Sequence, residues 1–169
     1  MHPSRTDDEE VTAWSALQVK QKDHVTTAAV QTTLPVIQKE PSGCGIAACA
    51  ALAGLTYDTA RSHAAELGIH AGDRTLWSNT AHVRRLLRAL DIDTDPNERP
   101  FTGWEDLPDR ALLAIKWRLI NGVPFWHWVV FVREAGESVV LDSKAALKNN
   151  VRRDFARMKP KWWIEIGPA

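Results

Sequence analysis

The spacing of apolar residues along the chain changes near residue 110. Before that point, apolar residues recur every three or four positions, which is the spacing of one face of an α-helix. The pattern predicts three helices, over 44–55, from Thr56 to Gly68 and over about 78–90. Gly54 is expected to end the first helix. Thr56 is expected to cap the second helix, and Ser78 or Asn79 to cap the third.

The rest of the chain is rich in β-branched and aromatic residues, which favour strands. Turn residues divide it into short runs that predict strands over 111–117, 125–134, 138–143 and 161–166. Turns are expected at "NGVP" and at Ala135–Gly136, so that neighbouring strands run antiparallel. Helices followed by such strands predict an α+β fold, with the N-terminal helices packed on an antiparallel β-sheet.

Residues 1–30 stand apart from this pattern. They are polar and show no sustained helical or strand period, so they are expected to form an N-terminal arm. Residues 31–169 contain no internal repeat, low-complexity tract or linker. Their length is typical of a single domain with one substantial core, and one domain is therefore expected there.

Charge and hydropathy exclude several classes of partner. The 169 residues include 21 basic and 21 acidic ones, so no net charge attracts nucleic acid or an anionic membrane. No apolar run approaches the ~20 residues of a membrane-spanning helix. The polar N-terminus does not resemble a signal peptide, so a cytoplasmic location is expected, with signal-independent secretion left open. Two cysteines cannot make a disulfide framework.

Cys44 stands between two glycines in "QKEPSGCGIAACAAL", at the predicted start of the first helix. The positive end of the helix dipole favours a thiolate there, and the thiolate is the nucleophilic form of cysteine. Gly43 and Gly45 are expected to keep bulky side chains away from the sulfur and leave it exposed. The alternative is that Cys44 is a small buried residue. Cys49 falls on the apolar face of the helix and is expected to be buried.

A cysteine nucleophile needs a base and a group that orients the base. Of the six histidines, His127 alone lies in a clear strand, and the other five are expected to have surface or packing roles. If the hairpin turns at Ala135–Gly136, Val129 faces Asp142. Because strand residues alternate between faces, His127 shares a face with Asp142 as its diagonal neighbour. This register predicts a hydrogen bond between them; the alternative for Asp142 is a strand-end residue that starts a turn.

Gln38 is a candidate for stabilising an oxyanion. It lies six residues before Cys44, and its side-chain amide could curl back toward the thiol. Together with the backbone N–H of Cys44, this amide would supply the two hydrogen-bond donors of an oxyanion hole.

In their order and spacing, these candidates resemble the papain-like cysteine peptidases. The resemblance is closest to the bacteriocin-processing branch, which cleaves double-glycine leader peptides. Members of that branch have Gln, Cys-Gly six residues later at a helix start, then His in a valine-rich strand and Asp closing the next strand. Here the motifs read "QKEPSGCG", "HWVVFV" and "VVLDS", and the match covers about residues 36–166. Ser143 follows the aspartate, where the branch commonly has proline.

The resemblance implies a papain-like catalytic domain over 31–169 that cleaves a peptide or amide bond through a thioester acyl-enzyme. Cys44 would be the nucleophile and His127 the base. Asp142 would orient His127, and Gln38 would be the oxyanion donor. The implied partner is a peptide or protein substrate, and the reaction needs no cofactor and no metal.

Other functions use the same residues. A papain-like fold also serves acyltransferases, transglutaminase-like enzymes and glutamine deamidases, including effectors that act on proteins of another cell. A catalytically silent module that binds a peptide in the cleft is a further alternative. A zinc or redox role for Cys44 and Cys49 is the last, because C-x₄-C lacks a second ligand pair at metal spacing.

Overall fold

Helices make up the first part of the fold and a sheet the second. The computed structural model describes residues 32–168, in which the helices are α1 (Cys44–Ala53), α2 (Tyr57–Glu66) and α3 (Ala81–Ala89), with 3₁₀ turns at Arg74–Ser78 and Phe155–Arg157. The strands are β1 (Arg99–Pro100), β2 (Arg110–Ile120), β3 (Val123–Glu134), β4 (Glu137–Leu141), β5 (Val151–Arg152) and β6 (Trp162–Glu165). The fold is α+β, as predicted. The predicted arm, residues 1–30, lies outside the described residues.

The ends of the first two helices are those that the sequence predicts. Gly54 has φ 66°, in the left-handed region that glycine adopts without strain, and it ends α1. Thr56 caps α2, and its side chain accepts a hydrogen bond from the backbone N–H of Thr59. The predicted start of the third helix is wrong. α3 has Thr80 as its N-cap, because the residues before it wind into a 3₁₀ turn that ends at Ser78.

Helix α1 is buried on nearly all sides. Every residue from Cys44 to Leu52 is buried, whereas the spacing of its apolar residues predicts a single buried face. A helix that is apolar all round belongs in an interior, and its alanines let neighbours come close. α2 and α3 pack on one side of α1, and strand β3 packs on another. The first residue of α1 is therefore held by three elements.

The six strands of the described residues form one antiparallel sheet in the order β1-β6-β2-β3-β4-β5. The β3–β4 hairpin has the predicted register, with Arg133 opposite Ser138 and Glu134 opposite Glu137. Its turn residues Ala135 and Gly136 have φ 50° and 80°, as a two-residue hairpin of this twist requires. The ladder ends at Val130 and Leu141, one pair before the predicted pairing of Val129 with Asp142.

Strand β2 contains a bulge that the sequence does not reveal. The register with β3 shifts between Ile115 and Arg118, so that the bulged strand carries an extra residue. Lys116 lies in the bulge with φ 54°, which is an uncommon conformation for a lysine. Trp117 packs against the core next to it. The bulge therefore begins directly after Ile115, which pairs with His127.

Alternate residues of β3 belong to two apolar clusters, one for each side of the sheet. Trp128 and Val130 join the cluster that contains the helices, and Val129 and Phe131 join the other. Each strand residue therefore has a defined side, which fixes the register of the hairpin. Across residues 32–168, none of the helices has the length and apolar character needed to cross a membrane.

Candidate active site

Three of the predicted site residues come together from the start of α1, the middle of β3 and the residue after β4. Cys44 is the first residue of α1, His127 lies on β3, and Asp142 follows the last residue of β4. Asp142 Oδ1 accepts a hydrogen bond of 2.7 Å from His127 Nε2. The hydrogen bond predicted from the hairpin register is thus confirmed. An ionised carboxylate is only an acceptor, so Nε2 carries the proton and Nδ1 is left for the Cys44 sulfur.

The charged form of each of these two groups, His127 and Asp142, is stabilised by its neighbours. Burial of the imidazole lowers the pKa of His127, but hydrogen bonds with Asp142 and with the Cys44 sulfur outweigh burial and raise that pKa to about 9. Burial likewise raises the pKa of Asp142, yet the hydrogen bond from His127, with others, lowers it to about 2. At neutral pH the arrangement therefore favours an imidazolium between a carboxylate and the sulfur.

Asp142 is completely buried, and every hydrogen-bond partner of its carboxylate is a donor. Besides His127, Oδ1 accepts from the backbone N–H of Lys144 at 3.1 Å. Oδ2 accepts from Arg152 at 3.0 Å. Arg152 cannot be recognised as a site residue from the sequence, since nothing in "NVRRDF" distinguishes it from Arg153. Its guanidinium also pairs with Asp154, at 2.8 Å, and fixes the carboxylate that orients the histidine.

The prediction that Cys44 is exposed is wrong, because its side chain is only 1% exposed. The two glycines beside it have a different purpose from the predicted one. A Cβ on Gly43 would lie 2.0 Å from the hydroxyl of Tyr57, and a Cβ on Gly45 would lie 2.4 Å from Nε2 of His82. The glycines let Tyr57 and His82 pack against the start of α1, and they do not clear space for a substrate.

Gln38 lies at this site, and its side chain is fully engaged. Its amide nitrogen donates to the carbonyl oxygens of Glu40 at 3.0 Å and Pro41 at 2.9 Å. Its amide oxygen accepts from the hydroxyl of Ser143 at 2.7 Å, and its backbone N–H donates to the Ser143 carbonyl. Acting as an oxyanion donor would require Gln38 to release one of these carbonyls. Ser143, which the sequence analysis treated only as a departure from a motif, holds Gln38 beside the carboxylate.

Side chains of α2 hold the loop between Gln38 and Cys44 in place. Glu40 accepts hydrogen bonds from the hydroxyl of Tyr57 at 2.5 Å and from Arg61 at 2.7 Å. Burial raises the pKa of Tyr57, and the Glu40 carboxylate raises it further, so the phenol stays a donor. This network positions the chain that leads into α1.

A cleft of about 430 Å³ opens beside His127. Gln38 and Pro41 line one part of it, and Trp77 and Phe125 form an aromatic wall with ring centroids 6.2 Å apart. Within the described residues the lining reaches His127 and stops before Cys44. A substrate in this cleft would thus meet the imidazole first, and the sulfur lies behind it.

Among the described residues, the other histidines have the predicted surface or packing roles, and Cys49 is buried as predicted. His63 and His70 are exposed, and His82 is a buried packing residue whose pKa burial lowers to about 4. Cys49 is completely buried, and burial raises its pKa. His2 and His24 lie outside the described residues. From residue 32 to residue 168, no group of three or more His, Cys, Asp and Glu could hold a metal ion.

The raised pKa of His127 predicts a pH dependence of stability. The pKa is about 9 in the fold, against 6.5 for an ordinary histidine, so the folded state binds the proton more tightly. This stabilisation is complete below about pH 6.5 and is lost as pH rises through about 9. We expect wild type to lose more free energy of unfolding than His127→Gln between pH 6 and pH 9.5, as measured by urea denaturation. A difference between the two proteins that does not change with pH would contradict this.

Comparison with known proteins adds no relative. A scan against protein-family models gives no match to this chain, and a search of curated proteins gives none either.

Proposed function

We propose that this chain is a cysteine peptidase-like thiol hydrolase with a papain-like fold. One observation carries the proposal: His127 donates a hydrogen bond of 2.7 Å to Asp142, and this carboxylate and the Cys44 sulfur together favour the charged form of the imidazole. A helix that begins with the nucleophile and packs on an antiparallel sheet carrying the histidine and the aspartate agrees with the resemblance to papain-like enzymes.

The proposed reaction follows from these positions. The Cys44 thiolate attacks the scissile carbonyl carbon and forms a tetrahedral intermediate. Its oxyanion is stabilised by the backbone N–H of Cys44 and by the amide of Gln38, which releases the carbonyl of Glu40 or Pro41 to do so. The His127 imidazolium gives its proton to the leaving amine, and a thioester remains on Cys44. Neutral His127 then takes a proton from water, whose oxygen attacks the thioester. The carboxylic acid leaves, and the thiolate–imidazolium pair is restored.

Asp142 has a positioning role in this scheme. It holds the proton on Nε2, so that Nδ1 is the atom that exchanges a proton with the sulfur and the leaving group. Arg152 and the backbone of Lys144 keep the carboxylate ionised and in place. Because Cys44 is 1% exposed, productive binding also requires a small movement of the residues between the cleft and the sulfur.

A test needs no knowledge of the substrate. Alkylation of Cys44 by iodoacetamide at pH 7, followed by peptide mass spectrometry that separates Cys44 from Cys49, reports the nucleophilicity of the sulfur. We expect His127→Ala to slow alkylation at least tenfold, because the imidazolium that stabilises the thiolate is gone. His70→Ala, at an exposed histidine outside the site, is the matched control and should react like wild type.

Equal and slow alkylation in wild type and His127→Ala would contradict the proposal. It would favour the alternative of a silent peptide-binding module, which the burial of Cys44 also supports. If the thiol is activated, a peptide library incubated with and without a primary amine separates the remaining reactions. Cleaved peptides indicate a peptidase, amine-linked products a transferase, and released ammonia with intact peptides a deamidase.

A further inference from the structure

Besides His127, four cations and one acid line the cleft, although the chain as a whole has no net charge. Two of these charges are neutralised by neighbours. Lys39 lies 2.5 Å from Asp58, and Glu40 is paired with Arg61 at 2.7 Å. The three remaining cations, Lys116, Arg118 and Lys144, have no ion pair and no side-chain hydrogen bond with any residue of the described part of the chain. The free charge of the cleft is therefore positive.

Lys116 is close enough to Lys144 and Arg118 to be repelled by both. Burial lowers the pKa of Lys116, and the charge of Lys144 lowers it further, as do those of Arg152 and Arg118, while the Asp142 carboxylate raises it. Lys116 and Arg118 both line the cleft, while Trp117 between them packs on the core. Lys116 adopts φ 54° in the bulge of β2, a conformation that costs a lysine energy. An anionic ligand in the cleft would relieve the repulsion.

The other walls of the cleft suit a polypeptide. Trp77 and Phe125 offer an aromatic surface beside the cations. The β2–β3 hairpin that carries Arg118 continues into exposed apolar side chains at its tip, which are Leu119, Ile120 and Val123. Apolar and cationic positions alternate within a few residues, which fits a chain of mixed side chains better than a uniform phosphate backbone. A cleft of about 430 Å³ also holds only a few residues.

We propose that the substrate of this site is an acidic polypeptide segment, in which carboxylate side chains next to the scissile bond bind Lys116, Arg118 and Lys144. The inference rests on the proposed thiol chemistry, since it concerns what that chemistry acts on. Nucleic acid is disfavoured, because its binding depends on many phosphate contacts along a basic surface and the chain has 21 basic and 21 acidic residues.

Two alkylating reagents test this inference separately from the thiol chemistry. Iodoacetamide is neutral and iodoacetate is anionic, but both alkylate the same sulfur and add groups of similar size. The ratio of their rate constants at Cys44 therefore measures the local preference for an anion. One charge on the wall of the cleft, acting through a dielectric like that of water, changes the concentration of an anion at the sulfur about twofold. Three such charges therefore predict a change of about tenfold.

We expect the ratio of iodoacetate to iodoacetamide rates to fall about tenfold in the triple variant Lys116→Gln/Arg118→Gln/Lys144→Gln. The ratio cancels any change in the population of the thiolate, which alters both rates equally, and circular dichroism shows that the variant is folded. Arg88→Gln is the matched control, because Arg88 is an exposed cation on α3 that does not line the cleft, and its ratio should equal that of wild type. The wild-type ratio should also fall as salt is added.

The possible outcomes separate the two proposals. If iodoacetamide reacts slowly with Cys44 and at the same rate in wild type and in His127→Ala, the proposed thiol chemistry is wrong. If the thiol is activated but the ratio of rates is the same in wild type and in the triple variant, only the inference of an acidic substrate is overturned. Protection of Cys44 from iodoacetamide by a Glu-rich hexapeptide, but not by its Gln counterpart, would support the inference. Stronger protection by a single-stranded oligonucleotide would overturn it in favour of nucleic acid.

Discussion

In the proposed mechanism, asparagine in place of Asp142 is expected to lower the turnover of a peptide substrate by about 10⁴-fold, as the loss of the orienting aspartate does in a Ser-His-Asp triad. The carboxylate accepts from His127 Nε2 at 2.7 Å and so places the proton on that nitrogen. An asparagine amide in the same place can present its NH₂ group to the ring, which would put the ring proton on Nδ1, the wrong nitrogen. The measurement is kcat/KM of wild type and variant on a peptide found in the library screen.

Asp154→Asn is the matched control for this variant. Asp154 is the other carboxylate that binds Arg152, at 2.8 Å, and its side chain is 38% exposed. Its loss leaves Asp142 and its hydrogen bond to His127 in place, so kcat/KM should change by only a few-fold. Comparable losses in Asp142→Asn and Asp154→Asn would show that disturbance of Arg152 matters and that a specific role for the Asp142–His127 pair is wrong.

Alanine in place of Gly43 is expected to destabilise the fold by about 3 kcal/mol, in the upper range for overpacked interiors. The new Cβ would lie 2.0 Å from the hydroxyl of Tyr57, which cannot move freely because it donates a hydrogen bond to Glu40. Gly43 itself is buried, so the clashing groups cannot separate by moving into solvent. Urea denaturation of wild type and variant measures the free energy of unfolding.

Two further variants show whether this clash is the cause. Gly72→Ala should leave stability nearly unchanged, since a Cβ there meets nothing within 4 Å. Tyr57→Phe removes the clashing hydroxyl, so the double variant Gly43→Ala/Tyr57→Phe should lose less stability than the sum of the single variants. Additive losses would mean that Gly43 is required for a backbone reason and not for the packing of Tyr57.

The β3–β4 hairpin and the pairing of its functional residues could be predicted from sequence because both depend on local rules. The Ala135–Gly136 turn fixes the register, and alternation then places His127 and Asp142 on the same side. Helix ends at Gly54 and Thr56 follow from local backbone and capping preferences in the same way. The α+β class follows from the order of these elements.

The features that the sequence analysis missed depend on contacts between distant parts of the chain. The burial of Cys44 and the purpose of its flanking glycines are set by Tyr57 and His82, which approach from α2 and α3. Strands β1 and β5 have two residues each, too few to show a period. The bulge at Lys116 has no glycine to mark it, and Arg152 reaches the carboxylate only because β5 pairs with β4.

The link between Gln38 and Ser143 has a consequence for the chain during its synthesis. These residues are 105 positions apart, and the hydrogen bond between them joins the loop before α1 to the end of β4. Contacts of such long sequence separation form late, after the intervening chain has been ordered. On the ribosome, a chain that has already exposed Cys44 therefore still lacks His127, Asp142 and the anchor of Gln38. In the proposed mechanism, the thiol of the nascent protein stays unactivated until nearly all of the domain has been made.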